Sequence, residues 1–269
     1  MKRTAMAAAL AAVFSTSAYA AVFTNGGFET GDLSGWTQGG GSWNGSTPVV
    51  VDFVDPPGDT GNFLPTAPQY AGGTPVNTIM STGGVDPITG QSVVYNGNYS
   101  VRVNNNVNNY SVSTISQSVL NYTDTNIFFQ WNAVLEASHD LDDSDYFSLT
   151  LRDDTTNTVL LTRSYSSASA ASLFTSYQGG QWFGSGWQLE NIDLTTAGAN
   201  GTSAVGHDLT LSLLASDCPY SGHAGYVYLD GFAPTVVPPG GNVPEPATLA
   251  LVGLGLAGLG AARRRRKTA

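Results

Sequence analysis

The only cysteine of the chain, Cys218, lies a few residues before His223. A thiol and an imidazole this close in sequence could act as a nucleophile and its base. A thiol protease also needs a group that orients the base, and residues 217–223 carry no recognised signature of one. We therefore expect Cys218 to be a small buried residue and His223 to bond the backbone or the first-strand region. His139 and His207 are isolated in sequence, so the paired spacing of a histidine zinc site is missing.

The densest acidic cluster comprises Asp140, Asp142, Asp143 and Asp145. Its spacing is superficially that of a calcium-binding EF-hand loop. Position six of such a loop should be glycine and position twelve glutamate, but here they are Asp145 and Leu151. The pattern therefore predicts a solvated acidic loop between strands, with weak ion binding as the alternative.

Three tryptophans, Trp43, Trp182 and Trp187, lie in glycine-rich polar contexts. An exposed indole there would offer a flat apolar face to a sugar ring, while nearby Asn, Gln and Asp side chains take its hydroxyls. The alternative is that these rings plug the edge of the fold. Trp36 follows a tight turn and Trp131 sits on an alternating apolar face, so both are poorer stacking candidates.

Charge excludes several classes of function. The formal net charge is -10, and between the two ends of the chain the only basic residues are Arg102, Arg152 and Arg163. Such a body would repel a phosphate backbone, so nucleic acid is excluded as a partner. Schiff-base and Walker-type chemistry need a lysine, and the interior has none. Glycoside hydrolysis stays open, because it needs only two facing carboxylates and the chain has twenty acids.

Alternation of apolar residues with period two predicts strands with one buried face. It is clearest over residues 127–135, 147–151, 209–213 and 226–232. A polar stretch over 152–158 predicts a hairpin loop, and the glycine- and proline-rich residues 38–91 predict long loops around a short strand near 49–54. About ten short strands without helical periodicity indicate an all-β fold, a jelly-roll β-sandwich over residues 21–236.

Both ends of the chain have the features of targeting segments. Basic residues precede an apolar run, and Ala18 and Ala20 form a small-x-small cleavage site. These features predict a signal peptide over residues 1–20 and export by the Sec machinery.

At the C-terminal end, a linker over 237–243 leads to an uncharged apolar stretch over 248–262 and a basic tail over 263–267. This stretch is short for a transmembrane helix, which takes about 20 residues, but it spans where flanking residues snorkel. The basic tail would stay in the cytoplasm, so the body lies outside the inner membrane.

The C-terminus resembles a known sorting signal. Pro244, Glu245 and Pro246 followed by an apolar helix and terminal arginines are similar to the PEP-CTERM signal, residues 244–269 here, of Gram-negative, exopolysaccharide-producing bacteria. The resemblance implies that exosortase, a membrane transpeptidase, cuts near the motif, so that the membrane anchor is transient. It assigns recognition to the Pro-Glu-Pro motif, and the stop signal to Arg263, Arg264, Arg265 and Arg266.

The body resembles the galactose-binding-like jelly rolls that include many carbohydrate-binding modules. The resemblance rests on three motifs, at residues 25–36, 97–103 and 226–232. It implies that the first and last strands lie close together.

The same resemblance implies a structural calcium ion, bridged by an early Glu and a late Asp. Glu29 and Asp230 match those positions, with backbone carbonyls near Asn25 and Gly97 completing the oxygen ligands that calcium prefers. The alternative is that Glu29 caps a turn and Asp230 bonds local amides.

Together these features lead us to expect an exported, non-catalytic β-sandwich that binds or organises extracellular polysaccharide. We expect the protein to be anchored in the inner membrane before processing and to lie at the cell surface or in the matrix afterwards. A structural biofilm protein without a specific ligand and a polysaccharide-active hydrolase are the alternatives.

Overall fold

The computed structural model describes residues 22–46, 64–139, 143–169 and 172–233. These residues form an antiparallel β-sandwich, and their only helical pieces are three single 3-10 turns. This confirms the all-β jelly-roll prediction. The strands are β1 Thr37–Trp43, β2 Tyr70–Gly72, β3 Thr78–Ser81, β4 Tyr99–Val103, β5 Ser111–Tyr122, β6 Asn126–Glu136, β7 Tyr146–Asp153, β8 Thr158–Ser166, β9 Thr175–Tyr177, β10 Trp182–Gly184, β11 Gln188–Asp193, β12 His207–Ser216 and β13 Gly225–Ala233.

Two sheets make up the sandwich. One has the order β2-β1-β5-β12-β7-β8. The other has the order β3-β4-β13-β6-β10-β9, and β11 pairs with β6 beside it. In the first sheet Leu213 lies opposite both Ile115 and Leu149, so the apolar sides of three long strands are in register.

The core lies between the sheets and matches the predicted alternation. Side chains of period two on β6 pack against those of β7 and β12 between the sheets. The predicted single buried face is wrong for these three strands, because their outer faces are buried as well. The predicted hairpin over 152–158 is also present, joining β7 to β8. The residues that form this part of the core are Ile127, Phe129, Trp131, Ala133, Phe147, Leu149, Leu151, Leu209, Leu211 and Leu213.

Part of the predicted loop region is strand. The glycine-rich residues 37–43 form β1, and β2 and β3 also fall within 38–91. The reason is close packing of backbone on backbone: a Cβ at Gly40 would lie 2.5 Å from Pro75 Cα, and one at Gly41 would meet the carbonyl oxygen of Ala71. These glycines permit neighbouring backbone to approach closely within a sheet, whereas the glycine-rich composition predicts turns.

The alternation over 226–232 breaks at Gly231. Tyr226, Tyr228 and Asp230 lie on the outer side of their sheet, but Phe232 packs in the core between the sheets. The register of β13 against β6 shifts after Asp230, and Gly231 adopts a φ of 71°. A bulge at this glycine turns Phe232 to the opposite face.

Several predictions fall on residues outside the described part: the signal peptide over 1–20, the strand near 49–54, Asp140 and Asp142, the linker over 237–243 and the C-terminal helix and basic tail. Within the described ranges, no helix has the length and apolar character that a membrane crossing requires.

Candidate functional site

The outer face of the seven-stranded sheet carries aromatic and polar side chains, of which Tyr226, Tyr228 and Asn132 are fully buried. Tyr226 and Tyr228 of β13 lie there beside Asn132 of β6 and Arg102 of β4. Residues 83–97, which we call the covering segment, pack over this face, and Val93 and Val94 join its buried cluster.

Asp86 anchors the covering segment. Its Oδ2 accepts hydrogen bonds from the hydroxyls of Tyr226 at 2.7 Å and Tyr228 at 2.8 Å. Its Oδ1 accepts the backbone N–H groups of Ile88 at 3.0 Å and Thr89 at 2.7 Å, which closes a turn. Burial, and then the Asp86 charge, raises the pKa of both tyrosines well above the usual value, so both hydroxyls stay protonated as donors.

Two of the three proposed stacking tryptophans are buried. Trp43 is 3% exposed and donates its indole N–H to the Asp217 carbonyl at 3.1 Å. Trp182 is 7% exposed and packs edge-on against Tyr226. Neither ring has a face open to a sugar, so the stacking prediction is wrong for both. Their large apolar rings instead fill gaps at the margins of the sheets.

Trp187 is the only tryptophan of the five that is partly exposed. Its indole N–H donates to the Ser92 carbonyl at 2.9 Å, and its ring centroid lies 5.6 Å from that of Tyr95. Both of these partners belong to the covering segment, and Tyr228 of β13 contacts the indole as well, with ring centroids 6.3 Å apart. The covering segment and β13 together set the position of the indole.

Polar side chains continue the surface next to Trp187. The Gln91 side-chain amide packs against Gly186, 3.5 Å from where a Cβ on that glycine would lie. Its oxygen accepts a hydrogen bond from Asn132 Nδ2 at 3.1 Å, and its nitrogen donates one to the Tyr177 hydroxyl at 3.4 Å. Gln188 follows Trp187 and is also partly exposed. We call Trp187, Tyr95, Gln91, Gln188 and Tyr177 the Trp187 patch; it combines an apolar ring face with amide and hydroxyl groups, the composition of sugar-contacting surfaces.

The structure brings Glu29 and Asp230 close together. The Glu29 carboxylate accepts the backbone N–H groups of Asn98 at 2.9 Å and Tyr99 at 3.1 Å, and so caps the turn before β4. Asp230 Oδ2 accepts the N–H groups of Tyr95 at 2.9 Å and Asn96 at 3.0 Å. Burial, with a contribution from the Glu29 charge, raises the pKa of Asp230 to about 8. These are the contacts of the turn-capping alternative.

Around Asp230 the structure also leaves polar atoms without partners. Within the described part of the chain, Asp230 Oδ1 and the side-chain amides of Asn96 and Gln130 make no hydrogen bond. Gln130 lies opposite Asp230 across β6 and β13, and Asn96 already touches Asp230 through its backbone. Buried polar groups are normally paired, so one carboxyl oxygen and two amide oxygens without partners fit a hard cation.

The backbone oxygen expected from Asn25 does not belong to this group. It already accepts the N–H of Phe28 at 3.0 Å and the indole N–H of Trp36 at 3.1 Å. A carbonyl oxygen has two lone pairs, so this one is fully used. Sequence reasoning missed Asn96 and Gln130 as alternatives, because an amide carries no charge pattern that would single it out.

The acidic cluster is not a solvated loop where the structure describes it. Asp143 is 5% exposed and Asp145 is 0% exposed. Asp145 accepts the Ser167 hydroxyl, and burial together with the nearby Asp217 charge raises the Asp145 pKa well above its usual value. Burial also raises the pKa of Asp217 to about 7. Both of these carboxyls are fully enclosed, so neither can reach a polysaccharide.

Cys218 is buried, as predicted. The His223 imidazole differs from its prediction: Nδ1 pairs with the Ser221 hydroxyl at 2.8 Å. His139 is not isolated, since its ring centroid lies 5.2 Å from that of His223. The sequence carries no local signal of the contact between His139 and His223, because the end of β6 and the β12–β13 connection are far apart in the chain and meet only in the folded protein. His207 pairs separately with Asp153 at 2.7 Å.

Comparison with solved structures finds sandwich domains of low identity. The carbohydrate-binding module TmCBM61, solved with β-1,4-galactotriose, is 11% identical with a TM-score of 0.41, covering 79% of this chain and 95% of its own. CBM28, a module specific for non-crystalline cellulose, is 10% identical with a TM-score of 0.35, covering 78% and 93%. The K1 cleaved adhesin domain of Lys-gingipain from Porphyromonas gingivalis W83 is 11% identical with a TM-score of 0.33, covering 77% and 93%.

No curated protein matches the chain. The C-terminus does match a family, over a short stretch that includes the Pro-Glu-Pro motif, the apolar run and the terminal arginines. The match confirms the resemblance drawn from the sequence: residues 242–266 are a PEP-CTERM protein-sorting motif.

Proposed function

We propose that this protein is an exported, non-catalytic β-sandwich that binds glycans at the cell surface or in the extracellular matrix after sorting by exosortase. The sorting motif supports the route. The observation that carries the binding role is the position of Trp187, the one partly exposed tryptophan, beside the Tyr95 ring, with the Gln91 amide against the adjacent Gly186.

The Trp187 patch suits a sugar for a physical reason. A pyranose ring has an apolar C–H face and a polar rim, so it binds well where a flat aromatic face lies next to amide and hydroxyl groups. Trp187 is held at its N–H by Ser92, which leaves a ring pre-oriented at low entropic cost. Tyr95 and Gln91 lie on the same covering segment, so both sides of the patch depend on one loop.

Replacing Trp187 with alanine is expected to raise the Kd for the bound glycan by about tenfold or more, equivalent to about 1.4 kcal/mol of lost contact. The measurement is binding on a glycan array and to the exopolysaccharide of the producing cells. Tyr220→Ala is the matched control, since that ring is 49% exposed and lies outside the patch. Glycan binding unchanged in Trp187→Ala, or reduced equally in Tyr220→Ala, would contradict the patch. Absence of any glycan binding would favour the structural matrix alternative.

A calcium ion at Asp230 is the second part of the proposal. Asp230 Oδ1 and the side-chain oxygens of Asn96 and Gln130 would hold it, with Glu29 adding negative charge nearby. Such an ion would perform no chemistry. It would satisfy buried oxygens and tie the end of the covering segment to β13, which supports the Trp187 patch from below.

Changing the sorting motif is expected to stop processing. We propose that exosortase reads Pro244, Glu245 and Pro246, so replacing all three with alanine should leave the full-length chain in the inner membrane. Fractionation and immunoblotting of the producing cells measure this. The matched control replaces Pro238, Pro239 and Gly240 of the linker with alanine, since these residues precede the matched sorting motif. Release of the triple variant to the surface at the normal size would contradict this assignment.

A further inference from the structure

A cluster of nitrogen and sulfur ligands lies at one end of the sandwich, apart from the Trp187 patch and from Asp230. His139, just after β6, meets Cys218 and His223 of the β12–β13 connection. One ligand atom from each residue lies within 4.8 Å of the other two. The set mixes a thiol with two imidazoles, and no role in the proposed glycan binding uses it.

The surroundings of the two imidazoles orient them for coordination. His139 Nδ1 lies 2.8 Å from Asp143 Oδ2, and His223 Nδ1 lies 2.8 Å from Ser221 Oγ. With each Nδ1 engaged, the other ring nitrogen, Nε2, is left to act as a ligand. Histidines that bind metals almost always pair their second nitrogen with a carboxylate, a backbone carbonyl or water, and the Asp143 carboxylate is such a partner for His139.

Asp143 connects the cluster. Its Oδ1 lies 2.9 Å from Cys218 Sγ while its Oδ2 contacts His139, so one buried carboxyl touches two of the three residues. The buried thiol, the partly buried His223 and the more exposed His139 place the cluster at the surface, where an ion can enter.

We propose that His139, Cys218 and His223 bind a divalent transition-metal ion, with Zn²⁺ as the best-matched species. Zinc takes histidine nitrogens at about 2.0–2.1 Å and thiolate sulfur at about 2.3 Å in tetrahedral geometry. Ligand atoms around a tetrahedral zinc ion lie about 3.3–3.8 Å apart, so the cluster must contract from its present spacing of up to 4.8 Å, and the half-exposed His139 side chain can make this movement. A water molecule completes the tetrahedron, and the thiol proton is released to solvent on binding.

The donor set distinguishes this site from a calcium site. Calcium and magnesium prefer oxygen, whereas one sulfur and two imidazole nitrogens select the softer transition metals. Asp143 is a positioning residue for His139, whose Nδ1 it holds through Oδ2. Its Oδ1 accepts the Cys218 S–H in the metal-free protein, and this hydrogen bond is given up when the thiol loses its proton to bind the ion. The bound ion would clamp the start of the β6–β7 loop to the β12–β13 connection.

The test uses tag-free purified protein, stripped of metal and titrated with Zn²⁺ against a chromophoric chelator. We expect one zinc ion per chain. With Co²⁺ as a probe, we expect the visible bands of tetrahedral cobalt and a thiolate charge-transfer band. His139→Ala, Cys218→Ser and His223→Ala should each weaken zinc binding by more than about 100-fold, and Asp143→Asn by about 10–100-fold, the usual effect of losing an outer partner.

The matched control is His207→Ala, which removes the histidine that pairs with Asp153 and lies outside the cluster. It should leave zinc binding unchanged. His139→Ala also guards against loss of folding, because that side chain is 46% exposed. Stoichiometry below one, an equal effect of His207→Ala, or cobalt spectra without the charge-transfer band in folded protein would overturn the proposal. Added Ca²⁺ should not compete, and competition by Ca²⁺ would also overturn it.

Discussion

Replacing Asp86 with alanine is expected to lower the free energy of unfolding by about 2–6 kcal/mol, because the O–H groups of Tyr226 and Tyr228 would both lose their acceptor and each buried unsatisfied donor costs about 1–3 kcal/mol. Asp86 is 1% exposed and holds Tyr226 and Tyr228 with one oxygen and the Ile88–Thr89 turn with the other. For a body of this size, the Tm should fall by roughly 2–4 °C per kcal/mol, measured by thermal melting.

Two controls separate this network from a general effect of losing an acid. Asp193→Ala removes a carboxylate that caps a similar turn, accepting from Thr195 N at 2.9 Å, but on an exposed surface. We expect it to change stability by no more than about 0.5 kcal/mol. Adding Tyr226→Phe and Tyr228→Phe to Asp86→Ala should recover part of the loss, because the unpaired hydroxyls are then gone. If Asp86→Ala and Asp193→Ala have the same free energy of unfolding, the hydrogen bonds of Asp86 do not stabilise the fold and the prediction is wrong.

The same change tests how the Trp187 patch is held. Tyr95 and Gln91 reach the patch from the covering segment, which is attached to β13 through Asp86 near its start and through the Tyr95 and Asn96 N–H groups on Asp230 near its end. Glycan binding in Asp86→Ala should therefore weaken together with stability. The link is through position, since Asp86 itself is enclosed and cannot touch a ligand.

Much of the fold could be predicted because its strands are amphipathic. On β6, Phe129, Trp131 and Ala133 alternate with polar residues, and a period of two on such a strand identifies the face that packs in the core between the sheets. The opposite face is buried as well, which the pattern does not predict. The hairpin between β7 and β8 is equally local, since turn residues separate two strands that pair directly. These features depend on neighbours in sequence.

The rest depends on contacts that sequence spacing does not encode. Residues 38–43 are read as loop from their glycines, yet those glycines are required by Pro75 and Ala71, which pack on them from elsewhere in the chain. The burial of Trp182 depends on Tyr226, and the proximity of His139 to His223 depends on two loops meeting at one end of the sandwich. Each case is decided by tertiary packing.

The Glu29–Asp230 pair shows an intermediate case. A resemblance to known jelly rolls predicts both positions, and the structure brings the two carboxyls near each other. The aromatic packing of Trp36 against Phe232, with centroids 5.7 Å apart, holds the beginning and the end of the body together. The neutral amides of Asn96 and Gln130 complete the group only in the fold, because β6, β13 and the covering segment converge there.

Calcium is expected to raise the free energy of unfolding by about 2.7 kcal/mol when present at 100 times its Kd, with no effect on Asp230→Asn. For this body the gain corresponds to a rise of roughly 5–11 °C in Tm. The physical reason is that a cation at Asp230 Oδ1 satisfies oxygens that are otherwise buried and unpaired. Asparagine keeps an acceptor for the Tyr95 and Asn96 N–H groups but loses the charge, so the fold survives the change.

The pH dependence gives a second readout of the same carboxyl. The pKa of Asp230 is raised to about 8 in the folded protein, above the unfolded value near 3.8. Its contribution to stability is therefore fully present below about pH 3.8 and is lost as the pH rises through about 8. In the presence of a chelator, the Tm should fall over this pH window, and it should fall less steeply in Asp230→Asn.

Asp217→Asn is the matched control. Burial raises the pKa of Asp217 in the same direction, to about 7, but we expect the stability of this variant to respond to calcium as that of the unchanged protein does. A bound cation favours the ionised carboxylate, so the calcium-induced rise in Tm should grow with pH, and a rise that is the same at pH 5 and pH 9 would place the ion elsewhere.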